Sequence, residues 1–332
     1  MADPIAWDVA ERLAVRVAQR GYRPLTYEMR ALTADFEELT AQAEELVTAE
    51  TGLRSLTGRA RARVVERDDW VRANLASFRR LLRPVTEKLA ASLEDPTRMG
   101  PVPLRLPLGV SRNVGGAQVG LLLGWLSTRV LGQYDLLLIE DDHPEDQDLV
   151  YYVGPNILSL ERRFGFPPRE FRLWIALHEV THRAQFTGVP WMRPHFLSLV
   201  SSTLDGVDPD PKRLIDALRR SADSIRAGRN PLDDGGLLSL LATPEQFDAI
   251  QEIGGLMSLL EGHGDVTMDR AGADRVPHAD RFSNILRERR RQQGVAKLVS
   301  SLIGLDAKMR QYEQGERFIA SVEKAGGPTE VV

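Results

Sequence analysis

The chain has 332 residues, enough for a large core and two lobes. Its formal net charge of -4 gives no electrostatic support to a nucleic-acid partner, and the absence of cysteine excludes disulfides, thiolate metal sites and thiol catalysis. The first twenty residues carry acids and arginines instead of a long apolar core, and the longest apolar run, 119–126, is too short to span a bilayer. No signal peptide and no membrane partner are therefore expected, and the location expected is cytoplasmic.

In chain order, apolar residues at three- and four-residue intervals predict helices over 7–18 and 27–47, and a third over 69–93 bent at Pro84. Residues 96–107 are proline-rich and lack helical periodicity, so a boundary is placed there. It separates an N-terminal helical region, 1–104, from a second domain, 105–332. Gly116, Gly120 and Gly124 then recur every four residues, leaving a smooth stripe for close packing of another helix. A phosphate cradle is excluded because no lysine–serine/threonine ending follows. Residues 134–139 and 148–153 read as strands joined by an acidic loop that contains His143.

The next helix is predicted to start at Pro167-Pro168 and to end at Gly188 and Pro190. It carries His178-Glu179-Val180-Thr181-His182. Positions four apart share a helix face, so His178 and His182 can hold one cation, while Glu179 stands beside that face within reach of a water on the metal. A catalytic zinc needs a third protein ligand. A glycine and a third histidine soon after the pair would supply one, but those positions hold Gln185 and Gly188.

A later helix, 245–269, offers the alternative. Its apolar run 253–260 leads directly into Glu261, where a carboxylate must be paired or metal-bound, and Asp265 follows on the same face. Glu261 is read as the third ligand and Asp265 as the group that accepts the free N–H of a ligating histidine. His263, two positions from Glu261, points to another side of the helix and is a candidate donor to the oxyanion, with Tyr151 and Tyr312 as further candidates. His195 and His278 lack ligand spacing and read as structural or surface residues.

Other helices are expected over 191–204, 211–226, 279–291 and onward to about 323, with loops at 205–210 and 227–236, the second a candidate flap. The basic cluster 287–291 reads as a solvated helix face. The expected fold is mainly α with a small β element.

With both motifs in place the chain resembles the actinobacterial zincin-like metallopeptidase family that is often labelled as associated with deazaflavin-coenzyme biosynthesis. Residues 126–135 and 304–315 share in the resemblance, which covers most of the chain from about residue 105 onward, with a helical N-terminal part consistent with it. No deazaflavin-binding residue carries over. The resemblance implies a Zn2+ peptidase acting on peptide or protein, with an edge strand beside the metal that holds extended substrate by backbone pairing; residues 148–153 are the candidate for that strand. Two alternatives stay open: a non-catalytic protein whose zinc locks a partner-binding helical fold, and a zinc amidase acting on a small metabolite. Oligomeric state is unknown.

Overall fold

A computed structural model describes residues 3–94, 108–134, 136, 148–205 and 243–292. The expected boundary at 96–107, the acidic loop with His143, the helix 211–226, the flap 227–236 and the segment containing Tyr312 lie outside the described residues. In order, the elements are α1 (Trp7–Ala18), α2 (Thr26–Thr51), β1 (Arg61–Val65), α3 (Arg67–Leu81), α4 (Arg83–Glu94), α5 (Leu108–Ser127), β2 (Gly132–Tyr134), β3 (Leu149–Val153), α6 (Gly154–Phe164), α7 (Pro168–Gly188), α8 (Met192–Asp205), α9 (Pro244–Gly272) and α10 (Ala279–Gln292). The fold is mainly α with a small β element, as expected. No helix among the described residues is long and apolar enough to cross a membrane.

The strands form a sheet of order β1-β3-β2, with β1 parallel and β2 antiparallel to β3. Every residue of β3 is buried, because helices cover both faces. Val150 and Tyr152 face the layer built by α2 and α7, whereas Leu149, Tyr151 and Val153 face the cluster contributed by α1, α3 and α5. On the first face Phe36 of α2 stacks on Tyr152 with centroids 3.8 Å apart, and Thr40 and Tyr152 share a hydroxyl hydrogen bond of 2.8 Å.

The glycine stripe of α5 does what its spacing suggests. A Cβ on Gly120 would lie 2.5 Å from the carbonyl oxygen of Ala10, and one on Gly116 would lie 2.3 Å from that of Ala6. Alanines 10, 14 and 18 of α1 are buried, so both helices present small residues and their backbones meet.

Three expectations need correction. The third helix is not one bent rod: it stops at Leu81 and restarts as α4 at Arg83, since Pro84 lacks the N–H that would continue the ladder and fits a first turn. The strand expected at 134–139 ends at Tyr134; Leu136 is not in a strand. Finally, residues 148–153 cannot be an edge strand, because β3 is hydrogen-bonded on both sides. The edge on the side of α7 is β2.

Candidate metal centre

Helix α7 has Pro168 in its first turn and Glu170 beside its positive end, and it runs to Gly188, the span that the sequence indicates. Its buried residues seat it on α2 and on the sheet, so its histidine face is fixed in depth and rotation. Helix α9 begins with a capping box in which the Thr243 side chain accepts from Gln246 N–H and Gln246 returns the bond to Thr243 N–H. Buried Leu260 and Met268 pack α9 into the same core as α7, so Glu261 is brought to the histidines.

One donor atom from each of His178, His182 and Glu261 lies within 4.8 Å of the others. His182 Nε2 is 3.9 Å from Glu261 Oε2, and the two imidazole rings stand edge-on at 87°, with centroids 4.6 Å apart. Two imidazoles and one carboxylate are a donor set that suits zinc and leaves a position for water. The structure places the three residues that the sequence names as ligands next to one another. His263 is not among the converging donors.

Gln185, passed over because it occupies the place of a glycine, bridges His182 of α7 and His263 of α9. Its Nε2 donates to the carbonyl of Leu260 at 2.9 Å, and because a carbonyl can only accept, this bond fixes which end of the amide is which. Its Oε1 then faces His182 Nδ1 at 2.9 Å, which requires the proton on Nδ1 and leaves the Nε2 lone pair for a cation. The same Nε2 lies 2.9 Å from His263 Nδ1, which must accept, so the His263 proton sits on Nε2. Burial, with a smaller effect from the neighbouring His182, holds the His263 imidazole below its usual range and so neutral. His178 turns its Nδ1 to the sulfur of Met268 at 3.3 Å. Asp265 is half-buried on α9, one turn beyond Glu261. His278 lies with Glu170 at 2.8 Å, on the surface, and His195 packs near Trp191, as expected of residues without ligand spacing.

Glu179 is buried, and the strand beside it is β2. A Cβ on Gly132 would fall 2.5 Å from Glu179 Cγ and 2.6 Å from Oε1, so only glycine lets this strand lie on the carboxylate. Burial first, and then the charge of Glu261, push the Glu179 carboxyl from its ordinary 4.5 to about 8, partly offset by a hydrogen bond from the backbone of Tyr134. A dication between Glu261 and the histidines would reverse the second effect and favour the carboxylate form. Tyr151 is corrected as an oxyanion donor: it lies on the sheet face turned away from α7, among residues of α1, α3 and α5.

The sequence pattern of the zincin-like metallopeptidase family matches residues 5–331. The chain belongs to the zincin-like metallopeptidase family. The match runs through α1 and α2 as well as the two helices of the metal centre. Among solved structures, the chain is similar to one from Chloroflexus aurantiacus described as a candidate hydrolase with a novel fold. The identity is 30%, the alignment covers 97% of this chain and 88% of that one, and the TM-score is 0.68. No curated protein matches the chain. Zincin-like membership implies a metal, usually zinc, and the donor set on α7 and α9 fits it.

Proposed function

We propose that this zincin-like protein is a zinc-dependent hydrolase of amide bonds, most simply a peptidase. The observation that carries the reading is the convergence of His178, His182 and Glu261 from two helices, with buried Glu179 beside them. Those three residues would hold the ion, which when bound lowers the pKa of the attacking water and polarises the substrate carbonyl. Glu179 takes the proton of the attacking water on its carboxylate and returns it to the leaving amine. Gln185 keeps the proton of His182 on Nδ1, and Asp265, one turn beyond Glu261, is the carboxylate that orients a ligating histidine. His263, with its proton on Nε2, donates to the oxygen that gains charge. Strand β2, at the edge of the described sheet and in contact with Glu179, lines up an extended peptide by backbone pairing.

The test is a digest of a mixed peptide library read by mass spectrometry. Zinc-loaded protein is expected to cleave internal or terminal amide bonds, chelated protein is expected not to, and added zinc is expected to restore cleavage. Absence of cleavage by protein that holds one equivalent of zinc would contradict the proposal.

A further inference from the structure

A pocket of about 360 Å³ opens beside His178 and Glu179, with Gly132 of β2 in its wall. Its volume lies at the small end of the range for ligand sites, which suits one bulky group and not a long chain. Most of the lining is apolar: Trp125 of α5, Leu131 of the loop that follows, Trp174 and Ile175 of α7, and Leu286 of α10.

The walls are held in place from behind. The Trp174 ring stacks on Phe171 and meets Phe282 edge-on, with centroids 6.2 Å away in each case. The Trp125 ring is covered by the guanidinium of Arg129, 4.1 Å from its centroid, whose Nη1 donates to Trp125 O at 3.0 Å and to Thr128 Oγ1 at 2.9 Å. Below the loop that carries Leu131, the buried Asn156 amide donates to the carbonyls of Ser127 at 2.8 Å and Val130 at 2.6 Å. Phe282, Leu286 and Arg289 share one face of α10, and Phe282 packs edge-on against Phe166, Phe171 and Trp174, which turns that face toward α7. Walls fixed in this way lose little freedom when a ligand enters.

The lining favours a ring over an aliphatic group. Trp125 and Trp174 offer faces and edges that pair with another ring in offset or edge-on arrangements. The half-buried guanidinium of Arg289 in the same wall is attracted to the negative face of a ring, an attraction that an aliphatic group lacks.

We propose that this pocket receives an aromatic side chain of the substrate residue next to the cleaved amide bond, and so sets the specificity of the hydrolase. An extended peptide paired with the edge of β2 turns alternate side chains toward α7. Gly132, which lies on Glu179 and lines the pocket, marks where one of them enters. This rests on the metallopeptidase reading, since His178 and Glu179 define where the cleaved bond lies.

The experiment measures binding of three hydroxamates, which anchor on zinc, to zinc-loaded protein by calorimetry. They are acetohydroxamate, 3-phenylpropanohydroxamate and 3-cyclohexylpropanohydroxamate. The phenyl probe is expected to bind about tenfold or more tightly than acetohydroxamate, from apolar burial. It is expected to bind about threefold or more tightly than the cyclohexyl probe, from ring contacts. Leu131→Trp, which fills the pocket, is expected to erase both advantages at unchanged zinc content. Trp125→Ala, which removes one ring from the wall, is expected to erase the advantage over cyclohexyl. If the phenyl probe binds zinc-loaded protein no better than acetohydroxamate, the pocket proposal is overturned while the metal reading survives. A cyclohexyl probe that binds as tightly as the phenyl probe overturns the aromatic preference. If the protein takes up no zinc, the pocket proposal and the metal reading both fall.

Discussion

Glu179→Gln is expected to retain one equivalent of zinc and to lose amide hydrolysis by about 10²–10⁴-fold, the scale of a missing general base. Glutamine has nearly the same shape, so Gly132 still clears it and its amide oxygen still accepts the Tyr134 backbone bond. What disappears is the capacity to take a proton. The substitution has a second expected signature, in the zinc-free protein. The wild-type carboxyl is raised from 4.5 to about 8 by burial and by Glu261, so the folded state binds a proton that the unfolded state has released. Its contribution is fully present below about pH 4.5 and is lost as pH rises through about 8. Stability of the metal-free wild type should therefore decline across that window, and the glutamine variant should lack that part of the slope. Unfolding midpoints taken at several pH values, with chelator present, measure it. Full hydrolytic activity in the variant would remove Glu179 from the chemistry.

Arg183→Met is expected to destabilise the fold by about 3–5 kcal/mol, the usual cost of stranding the partners of a buried ion pair. Arg183 follows His182 directly, but its side chain points the other way and is 1% exposed. It grips Asp148 through two bonds, Nε to Oδ1 at 3.1 Å and Nη2 to Oδ2 at 2.6 Å. It also donates to Glu44 Oε1 at 2.8 Å and to the carbonyl of Gly58 at 2.9 Å. One guanidinium thus ties the metal-site helix to α2, to the approach of β1 and to the entry of β3. Methionine matches the stem but leaves two carboxylates without their cation. Urea unfolding of the zinc-loaded pair checks this, and a difference below about 1 kcal/mol would mean that the clamp relaxes into water.

The donors of the candidate metal centre are legible in the sequence because ligation would tie residue type to helical period: two histidines four apart, and a carboxylate ending an apolar run. Gln185 is not legible in the same way, since a glutamine three residues past a histidine looks alike whether solvated or bridging. Its function depends on Leu260 and His263, which arrive from another helix. The edge strand is misassigned by looking nearest to the motif helix. The signal against it is present, because Leu149-Val150-Tyr151-Tyr152-Val153 has no polar alternation and so belongs in the middle of a covered sheet. β1 escapes notice because Arg61 and Arg63 interrupt its apolar residues, and its parallel pairing with β3 spans a long stretch of chain. The expectation that the basic cluster 287–291 is a solvated face is in part wrong: Arg289 is half-buried while Arg287 and Glu288 are exposed, because it lies on the helix face of buried Phe282 and Leu286.

The central assertion is that α7 and α9 jointly grip one divalent ion. Anomalous diffraction from zinc-loaded crystals, recorded on both sides of the zinc absorption edge, tests it most directly. The expected result is a single strong peak about 2.0–2.2 Å from the imidazoles of His178 and His182 and from the carboxylate of Glu261, with Glu179 outside the ligand set. A map without such a peak, or with Glu261 turned away from it, would contradict the assignment.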